Sequence, residues 1–267
     1  MKKLLLLILP AIIGFISLAQ ATAYAASTVQ SITFDSFTGV YHLSRDSREL
    51  SLLTSNETIV ADFPAAGYTG IKRILSENYQ GHSINIKILG ASDAAGSPIP
   101  YTVQSDNSNL TLTIGDPSIT LIGSQTIRID YQTQGVVNLN KSMDEFLLNT
   151  NGRGWSAPFN KVYATLYIPS QFNSKIQNTP SCYTALNSTK NSDGCQTNIS
   201  KTNDSTVIIA QASSVSANQA LIIKVDFIPR TFTNNHSRLV FDIVLLVLAL
   251  ITVNIGYGLF NKNRKSN

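Results

Sequence analysis

The segment Thr126-Ile-Arg-Ile-Asp-Tyr-Gln132 constrains the fold more than any other, because its polarity alternates with a period of two. On a strand successive side chains point to opposite faces, so Ile127, Ile129 and Tyr131 share one side and Arg128, Asp130 and Gln132 the other. One face has to be buried and the other wet, an arrangement that no helix satisfies. Leu110–Ile114 repeats the pattern and Ala220–Phe227 carries it into a final strand. Further runs rich in Val, Ile, Thr, Tyr and Phe recur between clusters of Gly, Asn, Asp, Ser and Pro. The predicted strands cover 31–44, 49–63, 71–75, 84–91, 101–105, 109–114, 125–133, 136–139, 146–149, 157–168, 206–211 and 219–227. So many strands exceed one sheet, and the expectation is an all-β, β-sandwich-like region, set as one body or as two sequential lobes.

The two ends of the chain read differently. Lys2 and Lys3 precede an apolar run from Leu4 to Ala19, and small residues follow as far as Ala25. This is the pattern of a secretory signal peptide over residues 1–25, with Ala23-Tyr24-Ala25 as the cleavage motif ahead of Ala19-Gln20-Ala21 and Ala21-Thr22-Ala23; an uncleaved anchor is the alternative. Leu239 to Phe260 is a continuous apolar stretch that, as a helix, would span about 33 Å and match a hydrocarbon core. Lys262, Arg264 and Lys265 follow it and place the tail, 261–267, in the cytoplasm under the positive-inside rule. The expected product is a single-pass protein of the cell membrane, with residues 26–238 extracytoplasmic.

Charge supports that division. The formal net charge is +4, but setting aside the basic residues at the two ends and Asp242 leaves fifteen residues of each sign. The exported region is neutral, so nucleic acid is not an expected partner. Cys182 and Cys195 are the only cysteines and would face an oxidising compartment, which predicts one disulfide. His42, His82 and His236 are scattered, and no metal or cofactor is expected. The cysteines lie in a stretch, 173–205, poor in apolar residues, which reads as a polar surface insertion.

No nucleophile elbow, phosphate loop or zinc-helix motif occurs, so no catalytic residue is assigned and a non-enzymatic role is expected. Asp144-Glu145 is the closest acidic pair. It would serve either a binding surface or, in an alternative reading, an envelope hydrolase or transferase whose acids converge in the fold. Within the apolar span, Asp242, Ala249 and Gly256 recur every seven residues with Thr252 between them. That small and polar stripe suits packing against another transmembrane helix, which would make the chain a structural subunit of a membrane complex.

The single tryptophan sits in Asn149-Thr-Asn-Gly-Arg-Gly-Trp155. Asn151-Gly152 tolerates positive φ and predicts a tight hairpin turn, after which Trp155 opens the next strand and covers the end of the core. The other reading has Arg153 and Trp155 gripping a ligand.

Several blocks in order carry a resemblance: Asn56–Phe63, Gly70–Leu75, Ile129-Asp-Tyr131 before Gly135, and Asp144–Asn149 through Gly152, Trp155, Pro158 and Val162 to Pro169. Together they resemble the YciQ-like family of predicted membrane proteins, whose exported N-terminal domain has no assigned function. The resemblance implies an extracytoplasmic β-rich domain, a membrane anchor and no activity to carry over. Family members usually continue into further membrane segments, whereas here seven residues follow Phe260. The combined expectation is an anchored domain that binds or assembles with an envelope protein or a surface glycan.

Overall fold

Alternation dictates the longer strands, Thr33–Arg45, Ser51–Phe63, Gly123–Gln134, Phe159–Pro169, Ser205–Val215 and Gln219–Phe227. The computed structural model describes residues 31–64, 67–186 and 189–233. In chain order the strands are β1 (Thr33–Arg45), β2 (Ser51–Phe63), β3 (Ile71–Ser76), β4 (Asn78–Tyr79), β5 (His82–Ser83) and β6 (Asn85–Ser92). Then come β7 (Tyr101–Ser105), β8 (Asn109–Ile114), β9 (Gly123–Gln134), β10 (Val137–Leu139), β11 (Asp144–Asn149) and β12 (Phe159–Pro169). β13 (Ser181–Leu186), β14 (Thr189–Asn191), β15 (Gln196–Lys201), β16 (Ser205–Val215) and β17 (Gln219–Phe227) complete the set. Two short 3-10 turns, Ser170–Lys175 and Ser192–Gly194, are the only helical elements among the described residues.

One layer is a seven-stranded sheet in the order β15-β16-β12-β1-β2-β9-β6. Its pairs are antiparallel except β1 with β12, which run parallel from Phe34 opposite Phe159 to His42 opposite Tyr167. Its inner face carries the apolar half of each alternation: Ile127, Ile129 and Tyr131 are buried, as the sequence pattern requires. The second layer has two parts, a five-stranded sheet β10-β11-β17-β13-β14 and a three-stranded sheet β3-β8-β7. Phe37, Ile59 and Leu166 of the large sheet share one core with Phe146 and Ile223 of the five-stranded sheet and with Leu112 and Ile114 of the three-stranded one. Each such side chain stabilises the fold by about 1.5–3 kcal/mol through burial. Because β1 pairs with β12, the two halves of the chain interleave, and the alternative of two sequential lobes is not what forms.

Three local expectations are corrected. The turn at Asn151-Gly152 does not close a hairpin: β11 pairs with β10 and β17, whereas β12 pairs with β1 and β16, so the chain crosses from one layer to the other. The hairpin turn needs positive φ at both central residues, and here it occurs at Gly152 and Gly154 but not at Asn151. Trp155 likewise precedes the next strand, which begins at Phe159. Nor is the stretch 173–205 wholly a polar surface insertion. β13 pairs with β17 from Ser181 opposite Lys224 to Leu186 opposite Gln219, and β15 pairs with β16. β17 is buried at seven of its nine positions and supplies the bulk, so small residues suffice at the inward positions of β13. The signal peptide, residues 1–25, and the membrane span, 239–260, lie outside the described residues; among those described, no helix is long and apolar enough to cross a membrane.

Candidate functional site

The alternation that buries Leu53, Ile59 and Phe63 on β2 also turns Glu57 inward, and the alternation of β3 does the same to Arg73 between Ile71 and Leu75. An isolated buried charge costs several kcal/mol, so each requires the other and further hydrogen bonds. Arg73 Nε and Nη2 donate to Glu57 Oε2 and Oε1 at 2.8 and 2.7 Å, a bidentate pair. Tyr131 donates to Glu57 Oε1 at 2.6 Å and Tyr41 at 3.3 Å. Burial and then the Glu57 charge push both phenols up, so they stay protonated and act as donors. For Arg73, burial pulls the other way but the adjacent carboxylate prevails and holds the guanidinium above its usual range. The Tyr41 ring lies back along β1 over Gly39, where any side chain would collide with it.

Further guanidinium donors tie β3 to the loop after β11. Arg73 Nη2 reaches Thr150 O at 3.2 Å, and Nη1 reaches Ile74 O at 3.0 Å. Rings of Phe37 and Trp155 flank the cation, with centroids 5.7 and 5.9 Å from Cζ. The loop after β11 is shaped to meet it. Asn151 accepts from Leu221 N–H and donates to Gln219 O, fastening the loop to β17. Trp155 Nε1 donates to Asn151 O at 2.6 Å. Gly152 has φ 72°, and a Cβ there would strike Arg73 Nη1, so glycine is required twice over.

Above this centre runs a cleft of about 700 Å³ between β3 and β11, the adjoining strands of the two small sheets. Leu53, Ile86, Val136 and Phe146 contribute apolar residues to its lining, and the buried Tyr131 and Arg73 form part of its floor. Asn78, Gln80, Asn149, Arg153, Tyr183 and Lys190 bring polar groups, and among the described residues no Asp or Glu lines the cleft. Lys190 Nζ lies 4.9 Å from the Tyr183 ring centroid.

Of the residues singled out from the sequence, the cleft gathers only Arg153, which is exposed. Trp155 is 4% exposed and packs edge-on against Phe34 and Phe159. Asp144 is buried and accepts the backbone N–H groups of Arg230 and Phe232 at 3.4 and 3.0 Å. Burial raises its pKa, against the pull of those amides. Glu145, on the opposite face of β11, pairs with Lys224 at 2.9 Å. The two acids therefore do not converge. Cys182 and Cys195 form a disulfide that joins β13 to the start of β15, linking the two layers. Asp242, Ala249, Thr252 and Gly256 fall outside the described residues. Among those described, no group of three or more His, Cys, Asp or Glu could hold a metal ion. The sequence reading passed over Glu57 and Arg73, although opposite charges on the apolar faces of two strands were the available sign.

Fold and cleft define a two-layer β domain whose divided second layer leaves a groove over a sealed polar centre. The chain belongs to the family described as predicted membrane protein (DUF2207) N-terminal domain, which matches residues 30–227. This agrees with the YciQ-like resemblance. No curated protein matches. Among solved structures, the chain is similar to an M1 zinc metallopeptidase from Deinococcus radiodurans, with 10% identity, a TM-score of 0.38, and coverage of 73% of this chain and 42% of that one. It is also similar to leukotriene A4 hydrolase from Saccharomyces cerevisiae, with 9% identity, a TM-score of 0.41, and coverage of 73% and 29% respectively. The chain thus spans less than half the length of either.

Proposed function

We propose that the protein is a membrane-anchored, extracytoplasmic binding or assembly domain that takes its partner in the cleft between β3 and β11. The observation that carries this reading is the cleft itself: a sizeable concave surface with an apolar lining, a few polar groups and basic residues, of the kind ligands use. Beneath it Arg73 directs its hydrogen bonds to Glu57, Thr150 O and Ile74 O within the protein, so the polar centre holds the groove's shape. Asp144 and Glu145 lie on opposite faces of β11 and neither lines the cleft, which supports binding over hydrolysis.

Photo-crosslinking in intact cells tests the proposal. A photoreactive residue at Asn78, in the cleft, is expected to capture a specific neighbour that the same group at Thr38, on the outer face of the large sheet, does not. Equal capture at both positions, or none at Asn78, counts against it.

A further inference from the structure

The second layer is interrupted where a strand would fit. β10 covers β11 only from Asp144 to Phe146, and among the described residues no strand flanks Leu147–Asn149 on that side. β3 is the edge of its own sheet and faces the cleft with its unpaired side. In an antiparallel strand the N–H and C=O of one residue point the same way and alternate along the chain. Thr150 N–H turns to Leu221 of β17, so Leu148 does too, and the backbone groups of Leu147 and Asn149 face the cleft.

Side chains stand in for the absent strand on both edges. Tyr79 Oη accepts the Leu147 N–H at 2.6 Å, where a neighbouring strand's carbonyl would sit. Across the cleft, Arg73 Nη1 takes the outward carbonyl of Ile74. Around the β11 edge, Phe146 and Leu148 face the core side while Leu147, Tyr183 and Ile222 face outward, all lining one cleft. An added strand would therefore find apolar surface for both sets of its alternating side chains.

Resting on the reading of the cleft as a binding site, we propose that its occupant is an extended peptide segment of another envelope polypeptide. It adds as a strand to the open edge of β11, displaces the Tyr79 hydroxyl from Leu147 and presents apolar residues with at least one carboxylate. The acidic character follows from the lining, where Arg153 and Lys190 are exposed and, among the described residues, no Asp or Glu contributes, the charge of Arg73 being answered by Glu57 inside the protein. Main-chain pairing supplies affinity in such additions, and the alternating pockets supply selectivity.

The test uses the full chain in detergent micelles and a displayed library of random linear peptides. The expected result is a family of extended sequences that alternate apolar residues and contain Asp or Glu. Binding of a selected synthetic peptide should weaken by about tenfold or more in the Lys190→Glu variant and on N-methylation of alternate peptide amides. Bound peptide should slow amide exchange at Leu147 and Asn149. Lys190 is exposed, so its variant keeps the fold. Recovery of no peptide, binders indifferent to N-methylation, or exchange at Leu147 and Asn149 unchanged by peptide each overturns strand addition. If the Asn78 crosslink then still captures a glycan or lipid, the binding-domain reading survives and only this inference falls.

Discussion

Two carboxylates, Glu57 and Asp144, are each 1% exposed, yet the protein holds them in different ways. Glu57, on β2, has a bidentate cation and two phenols, contributed by β1, β3 and β9, so the group knits four strands of both layers. Asp144 has no counter-charge among its hydrogen-bond partners; it is held by backbone amides of the segment leaving β17, where Phe232 stacks on Phe172 at 5.4 Å. The first arrangement is a keystone that exists for the fold and the groove above it. The second is a clasp on the exit segment, fixed as long as the carboxyl accepts those amides. Buried charge thus marks two different tasks, distinguished by what answers it.

The largest effect should come from breaking the keystone. Arg73→Met leaves Glu57 buried without its cation and should cost about 3–5 kcal/mol, a large part of a total of roughly 5–15. Denaturant unfolding of the full chain measures it. The double variant Arg73→Met with Glu57→Gln should be more stable than the single, because the stranded charge is gone. A loss below about 1 kcal/mol for Arg73→Met would show that the centre tolerates a lone carboxylate, and the contrast with Asp144 would collapse.

How much of this was legible beforehand follows from what alternation can report. It located β7, β8 and β17 to the residue and placed Ile127, Ile129 and Tyr131 in the core, because the period of two is a property of one strand at a time. It could not report partners. Asn151-Gly152 carried a turn signal that the tertiary structure overrode, since the Asn151 side chain is committed to β17, seventy residues away. β13 was hidden because its inward positions are Cys182 and Thr184, a pattern too weak to stand out from a polar stretch. Arg73 and Glu57 lay in plain view, but a charge on an apolar face is interpretable only when its complement is known to be opposite.

A milder perturbation sharpens the comparison from the loop side. Gly152→Ala adds a Cβ against Arg73 Nη1 at a residue with φ 72°. The change should cost about 1–3 kcal/mol through backbone strain and displacement of the guanidinium. Pairing it with Arg73→Met separates the two causes: if the clash matters, Gly152→Ala costs less once Arg73 is gone. Purely additive losses would assign the whole effect to the backbone and remove Gly152 from the keystone.

The smallest effect concerns the clasp, and here pH is the probe. Burial raises the Asp144 pKa above its ordinary 3.8, although the Phe232 and Arg230 amides resist. A group that binds its proton more tightly when folded contributes stability that is complete below its unfolded pKa and is lost as pH rises through the folded value. Asp144→Asn has no such titration. The stability of the wild type relative to this variant should therefore be greatest in acid, below the ordinary 3.8, and decline as pH rises above it, levelling once Asp144 is ionised in both states. Thermal unfolding of the two full chains across that range, compared pairwise, cancels the contributions of every other acid. A relative stability that rises with pH would mean that the two amides outweigh burial. The exit segment would then be held most firmly at neutral pH instead of in acid.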